Sequence, residues 1–395
     1  MVAIKTILLG GACVLAAAGA AALAHPGHPP IPAPTVSFSA DQQIIPIELY
    51  RGNRIIAQAR INGHDTPVVL DSGAGATAVD RAFARSIGLP HGTKIQAQGT
   101  GGAAEAELVS GVTLQLGAMR FEKMTVAVID LQPVARGLGR PVNVILGREF
   151  FNSAVVSVDW TASTMKVISP KAFTPPRNAR AIALGTLGPF HTVPVSIAGE
   201  PEITAMLDIG NGGAVALPRA YWEKRPDLAK LPFADSRGGG VGGLHPFRAV
   251  TLPQVAFGGR TFTNVPAELG ESDEHEANRP PNVGIDMLKP FRATLDFGRS
   301  RLYLAPGDNA DWIRDRSGAR FDLAGDRLKV VFVSPASPAA SAGLKPGDEI
   351  VAVDGRKVDA EYYDRADWSH GRPGTAVSLT RADGSQVTVT LADYF

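Results

Sequence analysis

Two aspartates in matching surroundings point most directly to chemistry in this sequence. Asp71 follows the apolar run Val68-Val69-Leu70 and begins Asp-Ser-Gly-Ala, while Asp208 follows Leu207 and begins Asp-Ile-Gly-Asn. Two carboxylates held about 3 Å apart share one proton, because like charges at that distance cannot both ionise. Such a pair can take a proton from water and give one to a carbonyl oxygen. The sequence therefore predicts one hydrolytic site that needs neither a metal nor a cofactor.

The surroundings of both aspartates repeat along the chain. Each aspartate is followed at the same distance by a glycine in an apolar, acidic segment, Gly147 or Gly284. Twelve positions beyond each glycine come Asp159 and Asp296, each expected to open a short strand. Solenoid units are only about 20–50 residues long, so a repeat of this length indicates a duplicated domain.

The first copy contains further elements that should hold Asp71 in place. Strands are expected over 44–48 and 55–61, and the spacing of Val79, Phe83 and Ile87 predicts a helix that ends at Gly88. These elements, a glycine-rich hairpin and the segment Ile-Leu-Gly-Arg-Glu at 145–149 resemble the retropepsin-type aspartic proteases. The resemblance covers residues 41–308 and implies a mainly β fold with two lobes, 41–172 and 173–308, around a cleft. It also implies that Asp71 and Asp208 are the catalytic pair.

The same resemblance implies supporting roles for residues beside the aspartates. Ser72 would orient its loop across the interface between the lobes, and Gly73 and Gly210 would allow the two loops to approach closely. The remaining residues predicted to support the loops are Ala74, Gly147, Arg148, Glu149 and Asn211. The sequence departs from the family at Ile209, where the family has Ser or Thr, so Asn211 is the candidate for a replacement hydrogen bond. Asp286 and Asp296 are interpreted as carboxylates at strand ends or turns.

Two glycine clusters, at 99–102 and 238–243, formally resemble dinucleotide-binding loops. That function requires a following helix in a βαβ unit, but Gly243 is followed by Leu-His-Pro. Under the protease resemblance the clusters fall at the substrate-covering hairpins, or flaps, where glycine permits close approach to a peptide. Ordinary surface turns are the alternative. The flap candidates are Gly99, Gly101, Gly102, Gly239, Gly240 and Gly242.

The segment 337–355 resembles the PDZ domains of bacterial exported proteases, and the domain is predicted to cover residues 319–395. A short helix over 339–342, a strand over 350–353 and a hairpin turn at Asp354-Gly355 are expected. The resemblance implies binding of an extended peptide, such as a protein C-terminus, along a sheet edge. The candidate peptide-binding residues are Gly318, Arg320 and Phe321, although this loop departs from the usual Gly-apolar-Gly-apolar pattern.

The N-terminal residues predict export. Residues 1–24 combine Lys5, an apolar stretch and small residues before position 25, which is typical of a cleaved secretory signal. A retained membrane anchor is the alternative, and only then is membrane association expected. The single cysteine, Cys13, lies in this segment, and a disulfide-free exported protein fits a bacterial periplasm. Residues 25–40 are rich in proline and are predicted to form an extended linker.

Composition narrows the function further. The chain has 395 residues, 45% of them hydrophobic, which is enough for two or three domains with cores. With 39 basic and 38 acidic residues it lacks the excess positive charge that nucleic-acid binding needs. The sequence therefore predicts an aspartic endopeptidase whose partners are peptide or protein substrates. Two alternatives remain open, a peptide-binding scaffold with degenerate protease lobes and a protease active only as a homodimer through Asp71.

Overall fold

The computed structural model describes residues 33–271, 280–308, 311–365 and 367–395. The predicted signal segment and the linker up to residue 32 lie outside these ranges. The described residues form two lobes followed by a C-terminal domain, all rich in strands, so the prediction of a mainly β protein is confirmed. None of the helices in the described ranges is both long enough and apolar enough to cross a membrane.

The first lobe is built around a nine-stranded sheet with the order β1-β9-β6-β10-β5-β4-β8-β7, in which β3 pairs with β4. The strands of this lobe, of which β2, β11 and β12 lie outside that sheet, are β1 (Thr35–Phe38), β2 (Gln42–Pro46), β3 (Glu48–Tyr50), β4 (Arg54–Ile61), β5 (His64–Leu70), β6 (Ala78–Asp80), β7 (Thr93–Gly99), β8 (Gly102–Leu116), β9 (Met119–Ile129), β10 (Val144–Leu146), β11 (Val155–Asp159) and β12 (Thr164–Ile168). Its helices are α1 (Arg81–Ser86), α2 (Gln132–Leu138) and α3 (Arg148–Ser153).

The second lobe repeats this arrangement in an eight-stranded sheet. The strands of this lobe, of which β13, β22 and β23 lie outside that sheet, are β13 (Arg180–Ala183), β14 (Gly185–Leu187), β15 (Phe190–Ile197), β16 (Ile203–Leu207), β17 (Val215–Leu217), β18 (Phe233–Gly240), β19 (Gly243–Phe257), β20 (Arg260–Gly270), β21 (Asn282–Val283), β22 (Phe291–Asp296) and β23 (Arg301–Pro306). Its helices are α4 (Arg219–Trp222), α5 (Pro226–Ala229), α6 (Ile285–Leu288) and a 3-10 turn (Phe297–Arg299). The parallel pairs β5–β10 and β16–β21 occupy equivalent places in the two lobes.

A six-stranded sheet joins the lobes, in the order β13-β23-β22-β11-β12-β2. At its centre β11 and β22 pair antiparallel, with Val156 opposite Leu295. Buried side chains of both lobes consequently form one continuous hydrophobic core. Asp159 and Asp296, expected to open strands, instead end β11 and β22.

Three local predictions were wrong. Residues 35–38, assigned to the linker, form β1, because Val36 and Phe38 pack on the core while the backbone pairs with β9. The strand expected over 44–48 is divided between β2 and β3.

Val79 lies in β6, where it pairs with both β9 and β10, so α1 begins only after Asp80. The Asp80 carboxylate caps that helix by accepting from the N–H groups of residues 82 and 83.

The C-terminal domain has a sheet with the order β24-β25-β26-β28-β29, in which β27 pairs with β26. Its elements are β24 (Ala319–Ala324), β25 (Arg327–Val333), α7 (Pro338–Ser341), β26 (Glu349–Val353), β27 (Arg356–Lys357), α8 (Tyr362–Arg365), a 3-10 turn (Trp368–His370), β28 (Ala376–Arg381) and β29 (Gln386–Thr390). The expected hairpin turn is present, and Asp354 and Gly355 both have positive φ. The expected helix is present one residue earlier than predicted.

The C-terminal domain shares buried contacts with the first lobe. Tyr50 and Ile56 pack in the same cluster as the core of the domain. Beside them Arg51 Nε donates to Asp367 Oδ2 at 2.6 Å, and the guanidinium lies 4.1 Å from the ring centroid of Tyr363. Burial alone would raise the pKa of Asp367, but hydrogen bonds and charge from His370 and Arg51 hold that pKa well below its usual value. The domain is therefore a packed part of the molecule.

Replacing Tyr50 with alanine tests this contact. Tyr50 is 2% exposed, its ring fills the junction, and its hydroxyl donates to the Leu138 carbonyl at 3.1 Å. We expect Tyr50→Ala to lower the free energy of unfolding by about 3 kcal/mol, because it leaves a cavity. Tyr50→Phe, which removes only the hydroxyl, should cost about 1 kcal/mol. Urea denaturation of both variants measures this, and equal losses would show that the ring is not what holds the junction.

Candidate active site

The two predicted catalytic aspartates follow equivalent strands. Asp71 comes directly after β5, and its N–H donates to the Leu146 carbonyl at the end of β10, at 3.0 Å. Asp208 comes directly after β16, and its N–H donates to the Val283 carbonyl at the end of β21, also at 3.0 Å. Both side chains are buried, with exposures of 2% and 0%. The duplicated strand pairs thus bring the two carboxylates together at the interface of the lobes.

Gly73 and Gly210 lock the two loops together. A Cβ atom built on Gly73 would lie 2.5 Å from Asp208 Oδ2, and one on Gly210 would lie 2.6 Å from Asp71 Oδ2. Each glycine N–H also donates to the aspartate of its own loop, Gly73 to Asp71 at 2.9 Å and Gly210 to Asp208 at 2.8 Å. Each carboxylate therefore rests against the backbone of the opposite loop, where no side chain fits.

Ser72 connects the loops across the lobe interface. Its hydroxyl donates to the Leu207 carbonyl at 3.3 Å and accepts from the Ile209 N–H at 3.1 Å. Ile209 is the equivalent residue of the second loop and is buried in the core. Since isoleucine has no hydroxyl, the second loop cannot make the equivalent side-chain hydrogen bonds to the first loop. The bridge between the loops is therefore formed by Ser72 alone.

Asn211 does not replace the missing bridge. Its amide nitrogen donates to Asn282 Oδ1 at 2.8 Å, and its amide oxygen accepts from the Gly213 N–H at 2.9 Å, so it bonds within its own lobe. Asn282 in turn donates from Nδ2 to Asp208 Oδ2 at 3.1 Å. The sequence reasoning missed Asn282. The sequence signal that could have identified it is a polar residue at the strand position where the first lobe has Ile145.

The hydrogen bonds make the two carboxylates electrostatically unequal. Burial raises the pKa of Asp71 well above its ordinary value, and the charge of Asp208 and a hydrogen bond to it raise this pKa further. Burial also raises the pKa of Asp208, but hydrogen bonds from Asn282, Asp71 and the N–H groups of Gly210 and Asn211 oppose the rise. Asp208 therefore has more donors to stabilise its ionised form than Asp71 has.

Gly147, Arg148 and Glu149 brace the first loop without touching the aspartate pair. The Glu149 carboxylate accepts from the N–H and hydroxyl of Thr77, both at 3.2 Å, and that hydroxyl accepts from the Gly147 N–H at 3.1 Å. The Arg148 N–H donates to the Ala74 carbonyl at 3.1 Å. Burial raises the pKa of Glu149. These contacts tie the segment 147–149 to the loop that follows Asp71.

The second lobe has its own brace, at Asp286. This residue was interpreted as a turn or strand-end carboxylate, but it lies in α6 and is 2% exposed. Lys289 Nζ lies 2.7 Å from its carboxylate and also donates to the Gly52 carbonyl of the first lobe at 3.0 Å. Burial raises the pKa of Asp286, while Lys289 opposes the rise. The pair ties the second lobe to the first beside the cleft.

The glycine clusters lie at the tips of two hairpins, β7–β8 in the first lobe and β18–β19 in the second. The tips meet, because the Gly101 N–H donates to the Val241 carbonyl at 2.9 Å. At Gly99, Gly101 and Gly242 there is no room for a side chain. A Cβ on Gly99 would lie 2.6 Å from Val241 Cβ, and one on Gly242 would lie 2.6 Å from the Gly102 nitrogen. Gly240 ends β18 directly before this tip, and Gly239 precedes it.

Comparison with known families identifies two parts of the chain. Residues 57–150 match the family described as "Aspartyl protease", and this stretch contains Asp71, the first hairpin and Gly147. Residues 317–391 match the family described as "PDZ domain". The first lobe is therefore similar to the aspartyl-protease family over residues 57–150, and the C-terminal domain is similar to the PDZ family over residues 317–391. The predicted architecture is therefore confirmed.

One curated relative shares a short stretch of sequence with the chain. It is a protein of Mesorhizobium japonicum named "Putative zinc metalloprotease mll0638", which is 44% identical over 62 residues. The match covers 15% of this chain and 17% of that protein, so the chain spans less than a fifth of the relative's length. Within the described ranges, no group of three or more His, Cys, Asp or Glu is placed to hold a metal ion.

The structure separates the three predicted peptide-binding residues of the PDZ domain. The Gly318 N–H donates to Asp315 Oδ2 at 2.9 Å, so an internal carboxylate already occupies it. Phe321 is buried in the PDZ core, with its ring centroid 5.6 Å from that of Trp368. Arg320 leaves the PDZ domain, since its Nη1 donates to the Arg237 carbonyl of the second hairpin at 3.2 Å.

Replacing Ser72 tests the one-sided bridge. We expect Ser72→Ala to lower the free energy of unfolding by about 1–3 kcal/mol, because the Leu207 carbonyl and the Ile209 N–H lose a buried partner. Ser72→Thr retains the hydroxyl and is the matched control, expected to stay closer to the wild type. Urea denaturation at neutral pH measures both variants. If Ser72→Ala left the free energy of unfolding unchanged, the bridge would contribute nothing to stability.

Replacing Asp71 tests the electrostatics of the pair. The raised pKa means that folding penalises the ionised carboxylate, so this residue's contribution to stability falls as the pH rises above the ordinary Asp value. We expect Asp71→Asn to raise the melting temperature at pH 7, and we expect this gain to shrink as the pH falls towards the ordinary Asp value of about 4 and to be absent below it. Asp65→Asn is the control, because Asp65 is exposed and Arg60 lowers its pKa. Calorimetric melting at several pH values would contradict the assignment if Asp71→Asn were destabilising at pH 7.

Proposed function

We propose that this protein is an aspartic endopeptidase in which Asp71 and Asp208 of one chain activate a water molecule between them. The observation that carries the proposal is the interlocked pair of loops, in which each buried carboxylate lies against the glycine of the opposite loop. Paired acids with perturbed pKa values cluster at functional sites. The aspartyl-protease match of the first lobe supports the same reaction class.

The unequal hydrogen bonding supports a different role for each acid. Asp208, ionised and held by Asn282, accepts a proton from water while the water oxygen attacks the peptide carbonyl carbon. Asp71 gives its proton to the carbonyl oxygen, which produces a neutral tetrahedral diol. As the C–N bond breaks, Asp208 returns its proton to the amine nitrogen. Asp71 recovers a proton from a diol hydroxyl, so both acids return to their starting states.

Substrate entry requires movement of the two hairpins. Their tips touch, and both aspartates are buried. Hairpins rich in glycine can open and close over a peptide, as active-site loops do in many enzymes. We assign the flap role to the glycines at these tips.

Pairing within one chain supports a monomeric catalytic unit over the homodimer alternative. The PDZ domain supports peptide or protein partners in general. We place the protease in an exported compartment on the basis of its first 24 residues. A peptide-binding scaffold without catalysis is the second candidate, and the observation that favours it is Ile209, which removes half of the interlobe bridge.

The test of this function is cleavage of a random peptide pool by purified residues 25–395 from acid to neutral pH. We expect Asp71→Asn and Asp208→Asn each to reduce cleavage by at least about 1,000-fold, because the two acids act as a unit. Asp286→Asn is the matched control. It alters a buried carboxylate of the second lobe that does not touch the pair, and it should retain most of the activity.

The other outcomes of this cleavage test favour the alternative functions. Loss of activity in Asp71→Asn alone would contradict the shared pair and favour a homodimer. Absence of cleavage by the wild type at every pH would favour the scaffold.

A further inference from the structure

The duplication places three equivalent residues on each side of the aspartate pair. They are the residue three positions after each aspartate, the residue two positions before the repeated glycine at 147 or 284, and the residue at the flap tip of the other lobe. One set, the first-lobe triplet, is Ala74, Ile145 and Val241, and the other, the second-lobe triplet, is Thr100, Asn211 and Asn282. Every apolar residue of the first triplet thus corresponds to a polar residue of the second.

The first-lobe triplet is closed and apolar. Its three side chains are at most 2% exposed and belong to one hydrophobic cluster with Ala97 and Ala106 of the first flap. Val241 reaches this cluster from the tip of the second flap. The triplet therefore offers a substrate van der Waals contacts but no side-chain hydrogen bonds.

The second-lobe triplet lines a cavity of about 370 Å³. This volume is in the range of small-ligand sites. Two members of the triplet touch the aspartate pair, because the Asn282 amide donates to Asp208 Oδ2 at 3.1 Å and the Asn211 N–H donates to Asp208 Oδ1 at 3.3 Å. The cavity therefore begins at Asp208, whereas the apolar cluster lies on the side of the first lobe.

The second-lobe triplet has hydrogen-bonding capacity that its own contacts leave unused. The Thr100 hydroxyl is buried and has no hydrogen-bond partner within the described residues. Asn211 Nδ2 donates to Asn282 Oδ1, and Asn282 Nδ2 donates to Asp208, so each amide uses one of its two hydrogens in the part of the chain that the structure describes. Buried polar groups without partners destabilise a protein, and a ligand that bonds to them removes that penalty.

The rest of the cavity wall carries charges of both signs. Arginines from both lobes and from the PDZ domain lie in it, together with Glu268, Asp315 and Phe395, the last residue of the sequence. One of these arginines, Arg51, is paired with Asp367 at 2.6 Å. The wall as a whole therefore does not present a single sign of charge to a ligand.

Two charged residues lie next to the second-lobe triplet. Asp208, the ionised acid of the proposed mechanism, contacts both asparagines. A Cβ on Gly212, directly after Asn211, would clash with the guanidinium of Arg54. Burial raises the pKa of Asp71, and the positive charge of Arg54 opposes this rise. An acidic side chain bound here would face Asp208 and a basic one would face Arg54, so both signs of charge are disfavoured.

We propose that the second-lobe triplet is a substrate subsite for an uncharged side chain that donates and accepts hydrogen bonds, as those of threonine, serine, asparagine and glutamine do. Thr100 Oγ1 supplies a donor and an acceptor, and the two amides supply N–H donors. A site built from such groups rejects an apolar analogue, because the groups are then left buried and unpaired. The first-lobe triplet lacks them, so the preference applies to one side of the cleaved bond only. This substrate class rests on the proposed function, but recognition of the side chain does not require cleavage.

The test measures binding to the full-length Asp71→Asn variant, so that cleavage does not interfere. The probes are four dye-labelled octapeptides of alanine that carry threonine, valine, glutamine or glutamate in the fourth position. By fluorescence anisotropy, we expect the threonine peptide to bind about tenfold or more tightly than the valine peptide, which has the same shape. We expect glutamine to be preferred over glutamate for the reason of charge given above. Tighter binding of the glutamate peptide would overturn the assignment of an uncharged side chain.

Replacing Thr100 identifies the group responsible. We expect Thr100→Val to lower the threonine-to-valine ratio at least about fivefold and to fold normally, because it replaces an unpartnered buried hydroxyl with a methyl group. Thr100→Ser retains the hydroxyl and should keep the ratio. Thr125→Val is the matched control, since Thr125 is also buried but bonds to Ser110 at 2.9 Å and does not line the cavity. Asn211→Ala provides a second reading if Thr100→Val fails to fold, and it should also lower the ratio.

Equal binding of the threonine and valine peptides would overturn the proposal. So would a Thr100→Val variant that weakens both peptides equally, since that result would mean that Thr100 only positions the flap.

The random peptide pool separates this proposal from the proposed catalysis. Sequencing the fragments cut by the wild type should show threonine, serine, asparagine or glutamine enriched on one side of the cleaved bond and not on the other. If the wild type cleaves nothing but the threonine-to-valine ratio and its loss in Thr100→Val are observed, the catalysis fails while the subsite stands. If cleavage occurs with no such enrichment on either side, the catalysis stands and the subsite fails.

Discussion

The contact between two buried carboxylates constrains the structure around the cleft. Burying one ionised carboxylate is costly, and two close together cannot both be charged. The molecule compensates by supplying N–H donors from the backbone of each loop and from Asn282. These donors are in place only if the loops approach closely, and that approach requires glycine on both sides. The strands, braces and bridging sheet hold this one arrangement.

Duplication produced two lobes with the same scaffold and unequal details. Ser72 corresponds to Ile209, Ile145 to Asn282, and Glu149 to Asp286. An identical pair of loops would give both aspartates the same donors, and neither would be the preferred site of the proton. Here the second aspartate receives additional donors, which stabilise its ionised form. The residue changes that weaken the interlobe bridge are thus accompanied by changes that separate the roles of the two acids.

The PDZ domain is packed against both lobes. It shares a hydrophobic cluster with Tyr50 and Ile56, and its Arg320 reaches the second flap. Arg237 of that flap stacks on Phe332 of the PDZ domain. These two contacts connect the PDZ domain directly to hairpin β18–β19 of the second lobe.

The sequence by itself determined the duplicated framework, both aspartates, the position of the glycine hairpins and the PDZ domain. These features depend on local spacing, on turn residues and on the repeat of apolar strands, all of which are legible along one chain. Helix α1 shows the limit of local patterns. Val79 has helical spacing but lies in a strand, because pairing with two neighbouring strands outweighs its local preference. Only the tertiary structure decided that Asn282 bonds Asp208, that Asn211 stays within its own lobe, and that Arg320 faces the flap. Those outcomes depend on contacts between segments far apart in the chain, whose distances and directions are set by packing of the lobes.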